Sequence, residues 1–384
     1  MKRTFPPRRL ERLLRQGPAD RLSLLDGVAA AAHRQGKALY LVGGAVRDLC
    51  LGRIPGDLDA MVEGDSFSIA RDMECRGIEV RLHPRFGTTV FRHRSGARLD
   101  LVSARSEVYQ EPSSLPVVRP DSLQADLWRR DFSVNAMALE VRPSGLGPLL
   151  DPCGGQQDLR RRRIRVLHSR SFRDDPTRAF RGVRLGVRLG FRLAHDTEVL
   201  LRAAIRAQWF DRLSPSRLGR EIRRLAAEKQ VHRILESLDD LGLLAAIHPA
   251  LSLPPGQRAA ARRLAGCLAR APDPERLRLL VAFLGWGQAE ASWSQALQRL
   301  ELPAGECRRA RSIRTEARRL LQALPAAPFA RPSLDALDAL SRPVRRETLD
   351  LAACVAPSFR HRRWLRSIRR SVPVCPPALP ISRP

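Results

Sequence analysis

The stretch Leu39–Asp65, LYLVGGAVRDLCLGRIPGDLDAMVEGD, decides how this chain is read. It opens on an apolar strand-like run, turns on Gly43 and Gly44, and closes on Asp57 and Asp59 with one residue between them. Lacking side chains, the two glycines let backbone N–H groups approach a phosphate chain at the start of the short helix expected over AVRDLCL. Arg47 and Asp48 follow on that helix, and Arg53 lies just past its Gly52 stop, able to swing toward the same phosphates. The stretch is not a Walker loop, because it lacks the GxxxxGK[ST] spacing and the lysine. Alternate side chains of a strand share a face, so Asp57 and Asp59 are expected roughly 7 Å apart on one side of it. Carboxylates aimed together repel unless cations intervene, and two Mg²⁺ ions about 3.5–4 Å apart would both relieve that repulsion and serve phosphoryl transfer. A DxD alone is more often a solvated strand end; the glycine turn ahead of it raises the metal reading here.

The rest of the chain is strongly basic. Its 384 residues carry a formal net charge of +28, and apart from Lys2, Lys37 and Lys229 every basic residue is arginine. Base composition explains arginine in place of lysine, but not the excess over acids. Such an excess opposes a compact fold unless a polyanion shares the surface, which makes nucleic acid the expected partner. A 43% hydrophobic content supplies two or three cores and excludes a disordered polymer. Seven scattered cysteines without a CxxC pair argue against a zinc knuckle and a disulfide framework, and fit a reducing compartment such as the cytoplasm. No apolar run nears the ~20 residues that cross a bilayer, so no membrane association is expected.

The runs ALYLV, LDAMV, IEVRL, TTVFR, RLDLV and VNAMALEV alternate with helix-like segments, which predicts a mixed sheet domain. After Asp151 the strand signals fade and Leu, Ala and Arg recur at helical spacing, so the second half is expected to be all helical. The fold class is therefore α+β. Ser214 followed by Pro215 gives the N-cap and first residue of one such helix. The expected divisions are a helical lead-in over 1–37, the sheet domain over 38–142, helical segments over 143–212 and 213–372, and a proline-rich disordered end over 373–384. Asp100, in ARLDLVSAR, offers a third acid on another strand. The run Ser106–Ser122, SEVYQEPSSLPVVRPDS, suits a long loop better than an element. His195–Asp196 is an HD doublet, but the other histidines do not complete a hydrolase metal set, so it is taken as a turn.

With these residues in view, LVGGAVRDLCLGR…DLD resembles the signature of class II nucleotidyltransferases, the family of bacterial-type CCA-adding enzymes and bacterial poly(A) polymerases. Three further blocks match in order. RRDFSVNAMAL (Arg129–Leu139) resembles the ribose-reading motif, DPCGGQQDLRRRRIRVL (Asp151–Leu167) the hinge, and RDDPTRAFRGVRLGVRLGF (Arg173–Phe191) the base-reading motif. The likeness covers about residues 38–250. It implies a nucleotidyltransferase head, or palm, over 38–142, a neck over 143–212, and an RNA-binding body and tail. It makes Asp57 and Asp59 catalytic ligands of Mg²⁺, Asp100 a further catalytic acid, and Gly43, Gly44, Arg47 and Arg53 holders of the triphosphate. Arg129, Arg130, Asp131 and Asn135 would meet the ribose and phosphates, and Asp175 and Arg178, with Arg181 on the same motif, the base.

The base-reading assignment can be checked by chemistry. Cytosine and adenine each present an amino donor beside a ring-nitrogen acceptor, which a carboxylate plus a guanidinium complements. Uracil and guanine present the reverse and would leave polar groups buried and unpaired. Asp174 stands where the family usually has glutamate, which shortens the acid before the reading pair, and Arg217 with Glu221 matches a later motif that supports the neck. The activity implied is template-independent addition of CMP and AMP, from CTP and ATP, to the 3′ end of tRNA. A CC-adding or A-adding enzyme, or a poly(A) polymerase, would share the same catalytic residues, and a non-catalytic RNA-binding protein is the reading of a different class. In related enzymes a flexible loop near 106–122 helps reshape the pocket from cytidine to adenosine, and its full length here favours addition of the terminal A.

Overall fold

Four apolar residues in succession make a strand with little exposed surface, β1 (Leu39–Val42), and the sheet is built around it. The computed structural model describes residues 5–74, 78–84, 87–322, 345–356, 358, 361–363 and 365. Ahead of β1 lie α1 (Pro7–Leu14) and α2 (Ala19–Arg34), entered from Pro6 and Pro18. The chain continues as α3 (Gly44–Cys50), β2 (Leu58–Val62), α4 (Ser66–Glu74), β3 (Glu79–His83), β4 (Thr88–Arg92) and β5 (Arg98–Ser103). A hairpin of β6 (Arg105–Val108) and β7 (Val117–Pro120) follows, then α5 (Leu123–Trp128), β8 (Ala138–Arg142) and β9 (Gly145–Leu150).

Seven strands form one sheet in the order β3-β4-β5-β2-β1-β8-β9. Its pairs are antiparallel except β2 with β5, which run parallel with Asp59 opposite Asp100. Leu41, Met61, Phe91, Leu99, Leu101 and Leu139 are fully buried, each contributing about 1.5–3 kcal/mol of transfer free energy. Leu127 joins Val42, Met61, Ala104 and Ala138 in one core cluster, which seats α5 on the sheet.

Past β9 come α6 (Gly155–Arg161), β10 (Arg163–Ile164), α7 (Ser171–Asp174), α8 (Thr177–Leu189), β11 (Arg192–Leu193) and α9 (His195–Arg206). The second half is helical: α10 (Pro215–Ala226), α11 (Val231–Asp240), α12 (Leu243–Ile247), α13 (Pro255–Leu268), α14 (Asp273–Leu284), α15 (Glu290–Leu300), α16 (Ala304–Gln322) and α17 (Arg346–Val355). The chain divides into two compact units, one of residues 1–178 and 189–204, the other of 179–188 and 205–384. Within the second, α10 packs on α14 and α15, and α16 on α14 and α17. Its core holds Phe283, Trp293 and Ile313, all fully buried. No helix among the described residues is long and apolar enough to cross a membrane.

Several expectations change in detail. The Ser106–Ser122 run is not a plain loop: β6 and β7 pair across it, leaving a shorter tip. Of VNAMALEV only the end is strand, because Ser133–Asn135 turns as a 3₁₀ helix first. GLGPLL forms β9 despite its glycines and proline, with Gly145 at φ +128° in a region other residues avoid. The short β10 and β11 pair in parallel where only helix was expected. Ser214 and Pro215 do open α10, although the Ser214 hydroxyl pairs with Ser216 at 3.2 Å rather than capping a backbone N–H. His195 begins α9, where Asp196 accepts from the Thr197 N–H at 2.9 Å. The expected disordered end, 373–384, lies outside the described residues.

The DPCGG block shows why that sequence turns as it does. Asp151 accepts the N–H groups of Gly155 and Gln156 at 2.6 and 2.9 Å, satisfying the first turn of α6. A Cβ on Gly155 would stand 2.3 Å from the Ser133 carbonyl oxygen, a backbone atom that cannot rotate away. Gly155→Ala is therefore expected to destabilise the protein by about 1–3 kcal/mol, read as a lower denaturant midpoint. An unchanged midpoint would show that α6 can move aside freely.

Candidate active site

Gly43 has φ +67° and ψ −128°, a conformation that a side chain would strain, and this kink swings the chain from β1 into α3. A Cβ there would also stand 3.1 Å from Nη1 of Arg130. From the first turns of α3, Arg47 donates to Asp48 Oδ1 at 2.9 Å and to Asn135 Oδ1 at 2.8 Å. Asn135 in turn donates through Nδ2 to Asp131 Oδ1 at 3.1 Å, which also accepts the Phe132 N–H. Residues nearly ninety positions apart in sequence thus form one hydrogen-bonded chain beside the glycine turn. Arg53 is exposed, with no side-chain partner among the described residues.

The carboxylates sit at the start of β2. Asp57 is exposed and lies one residue ahead of the strand, so it is Asp59 alone that β2 carries, beside Asp100 on β5. Asp59 is exposed at the surface, but the protein atoms around its carboxyl shield it from solvent enough to raise its pKa, with Asp100 and then Asp57 adding to the rise and Arg130 opposing it. Arg98 holds Asp100 through two contacts of 2.6 Å. Among the described residues no cluster of three or more acid, His or Cys side chains is spaced to enclose a metal ion. The carboxylates still suit Mg²⁺, which takes one or two protein carboxylates and completes its shell with phosphate oxygens and water. Shielding from solvent is the main cause of the raised Asp59 pKa, with Asp100 and Asp57 adding to it, and a hard cation beside the carboxylate would offset that cost.

The RRDF block is oriented by a residue that sequence reading missed. Asp126, fully buried on α5, accepts from both Arg129 and Arg130. Arg129 reaches on to Glu107 of β6 at 2.8 Å, and its carbonyl accepts Nη2 of Arg178 at 3.0 Å. Arg178 is itself 5% exposed and donates to Ser171 Oγ at 3.1 Å. Asp175 accepts the Thr177 N–H and hydroxyl at 2.9 and 2.5 Å, at the entry to α8. Asp174 ends α7 with its own N–H bonded to the Arg170 carbonyl.

The β6–β7 arm meets the same region. The Tyr109 hydroxyl donates to Glu107 at 3.1 Å, and burial pushes this phenol up to about 12, with Arg178 pulling against the rise and Glu107 and Asp175 adding to it. At the arm's tip the Ser113 N–H donates to the Arg173 carbonyl at 2.9 Å. Glu107 and Tyr109 were therefore also missed, and the only signal was their acidic and aromatic character in an otherwise turn-like run. Of the remaining candidates, Arg181 is exposed on α8 and falls in the second unit. Glu221, 2% exposed in that unit, accepts from Arg184 at 2.9 Å and Arg224 at 2.5 Å, a buried hub joining α8 to α10.

Comparison with known proteins adds an independent line. Residues 39–165 match the poly A polymerase head domain family. The chain is 38% identical over 239 residues to the A-adding tRNA nucleotidyltransferase of Geobacter sulfurreducens, covering 62% of this chain and 27% of that protein. It is 40% identical over 205 residues to the CC-adding tRNA nucleotidyltransferase of Deinococcus radiodurans, covering 53% and 54%. The chain thus spans about a quarter to a half of the length of these curated relatives. Among solved structures, the Thermotoga maritima CCA-adding enzyme complexed with tRNA superposes with a TM-score of 0.75 at 26% identity, covering 94% of this chain and 84% of that one.

Proposed function

We propose that the chain belongs to the class II tRNA nucleotidyltransferase and poly(A) polymerase family, and that it adds CMP and AMP, from CTP and ATP, to the 3′ end of tRNA. The observation that carries this reading is the pairing of Asp59 with Asp100 across β2 and β5, beside a glycine turn overlain by Arg130. In this reading Arg47 and Arg130 bind the triphosphate with the backbone of Gly43 and Gly44, while Asp131 and Asn135 face the ribose. Asp175 and Arg178 select the base through its Watson–Crick edge. The 3′-hydroxyl attacks the α-phosphate and pyrophosphate departs. Mg²⁺ held by Asp57 and Asp59, when bound, supplies the Lewis acidity that activates the hydroxyl and shields the phosphate charge. The arginine-rich helical half would grip RNA through its phosphates, with residues 38–142 as head, 143–212 as neck and 213–372 as body and tail.

A second reading, addition of the terminal AMP alone, is favoured by the identity to the A-adding Geobacter relative. One experiment separates them. The protein is incubated with a tRNA transcript ending at the discriminator base, and with another ending in CC, each with Mg²⁺ and one nucleoside triphosphate at a time. CMP incorporation on the first and AMP on the second is the expected result. AMP on the second alone would establish the A-adding reading, unlimited AMP addition a poly(A) polymerase, and no incorporation on either a non-catalytic RNA-binding protein.

A further inference from the structure

Asp126 lies in a six-residue helix whose sequence, LQADLW, has the look of an ordinary surface turn, yet its side chain is wholly buried. A buried carboxylate is costly unless it is paired and hydrogen-bonded. Here Oδ1 accepts from Nε and Nη2 of Arg129 at 2.9 and 2.6 Å, and Oδ2 accepts from Nε and Nη2 of Arg130 at 3.2 and 2.8 Å. Each guanidinium is gripped along one edge, and the remaining Nη1 is aimed elsewhere. That of Arg129 meets Glu107 at 2.8 Å, and that of Arg130 lies over the glycine turn.

The helix carrying Asp126 is itself fixed. Leu127 is in the core cluster, the Leu123 N–H donates to Glu63 at 2.7 Å, and Ser122 Oγ accepts from the Ala125 N–H. We propose that Asp126 is a positioning residue: one buried carboxylate aims two guanidiniums and, through Arg130, sets the affinity for the triphosphate. This rests on the nucleotidyltransferase reading above. Asp126 and Glu107 together face three guanidiniums, those of Arg105, Arg129 and Arg130, which leaves one surplus positive charge beside the turn that complements a polyphosphate. A bidentate grip on each fork also removes the rotamer freedom that an arginine would otherwise lose on binding.

The test compares the full-length wild type with Asp126→Asn, Arg130→Ala and the double variant, by calorimetric titration with CTP and with ATP. The asparagine side chain keeps the shape of the aspartate but can accept from one arginine only. Asp126→Asn is expected to weaken both nucleotides by about 10- to 100-fold while leaving affinity for a tRNA transcript unchanged. The double variant should be no weaker than Arg130→Ala alone, because the two residues act as one unit. Wild-type affinity in Asp126→Asn, or losses that multiply in the double variant, would overturn the proposal. If Asp126→Asn does not fold, Asp126→Glu serves instead: it retains the charge but displaces both guanidiniums, and the same loss and the same non-additivity are required of it. A wild-type protein that binds neither CTP nor ATP removes the nucleotidyltransferase reading and this role with it, whereas wild-type binding with an indifferent Asp126→Asn removes this role alone.

Discussion

Replacing Asp59 by asparagine is expected to lower the rate of nucleotide addition by on the order of a thousandfold, about 4 kcal/mol of transition-state stabilisation, without weakening the fold. The loss of rate rests on the proposed metal-binding role of Asp59, and the retained stability on its raised pKa. Burial, Asp100 and Asp57 raise the Asp59 pKa, so the folded protein binds that proton more tightly than the unfolded chain does. Its contribution to stability is therefore complete below the ordinary carboxylate range and is lost as pH rises through the raised value. At neutral pH the ionised group is a liability that the fold carries. Asparagine has the same shape without the charge, so the thermal midpoint should hold or rise while catalysis disappears, a trade expected where a site is tuned for a cation. Single-turnover incorporation on tRNA transcripts and a melting curve on the same preparation measure both. A midpoint several degrees lower, together with the lost activity, would mean that Asp59 supports the sheet rather than the reaction.

The second large effect is expected at Arg178. Its guanidinium is nearly inaccessible to solvent and is anchored by Ser171 and by the carbonyl of Arg129, so its direction is set before any nucleotide arrives. On the proposed role of Arg178 in rejecting bases with an N–H at the ring position, the ratio of kcat/KM for CTP or ATP over UTP should fall about 10- to 100-fold in Arg178→Ala. Turnover of CTP and ATP should fall less than that ratio does. The substitution also strands one buried and one partly buried acceptor, so a stability loss of about 1–3 kcal/mol is expected beside the change in choice. Lysine at this position should not restore selectivity, because a point charge cannot serve both anchors and a base edge at once. Nucleotide preference that stays intact in Arg178→Ala would assign base choice to other residues.

Much of this was legible in the sequence where the signal is local. An apolar run, a glycine pair and a DxD lie within one short stretch, and steric rules suffice to turn it into strand, kink, helix and strand. Ser214–Pro215 is local in the same way. The β6–β7 arm was not legible, because its strands are four residues each and half exposed, so no apolar alternation marks them against their prolines and serines. Asp126 was not legible for the opposite reason. An acid three and four residues ahead of Arg129 and Arg130 has the spacing of a surface helix pair, and only the packing of Leu127 into the sheet turns it inward. The link from Arg47 to Asn135 depends on which strands are neighbours, and no short window of sequence contains that information.

The lone parallel pair of the large sheet also bears on how the protein comes into being. Parallel strands need a crossover, and the one between β2 and β5 carries α4, β3 and β4, so Asp59 and Asp100 meet only after on the order of forty intervening residues have folded. On the ribosome the glycine turn and the first two aspartates emerge well before β5 can dock, and β8, which completes the other flank of β1, emerges later still. The pairing of Asp59 with Asp100 thus depends on non-local contacts that no local helix or turn can supply. A chain interrupted within the crossover would retain the signature stretch intact and yet lack the electrostatic site that the stretch announces.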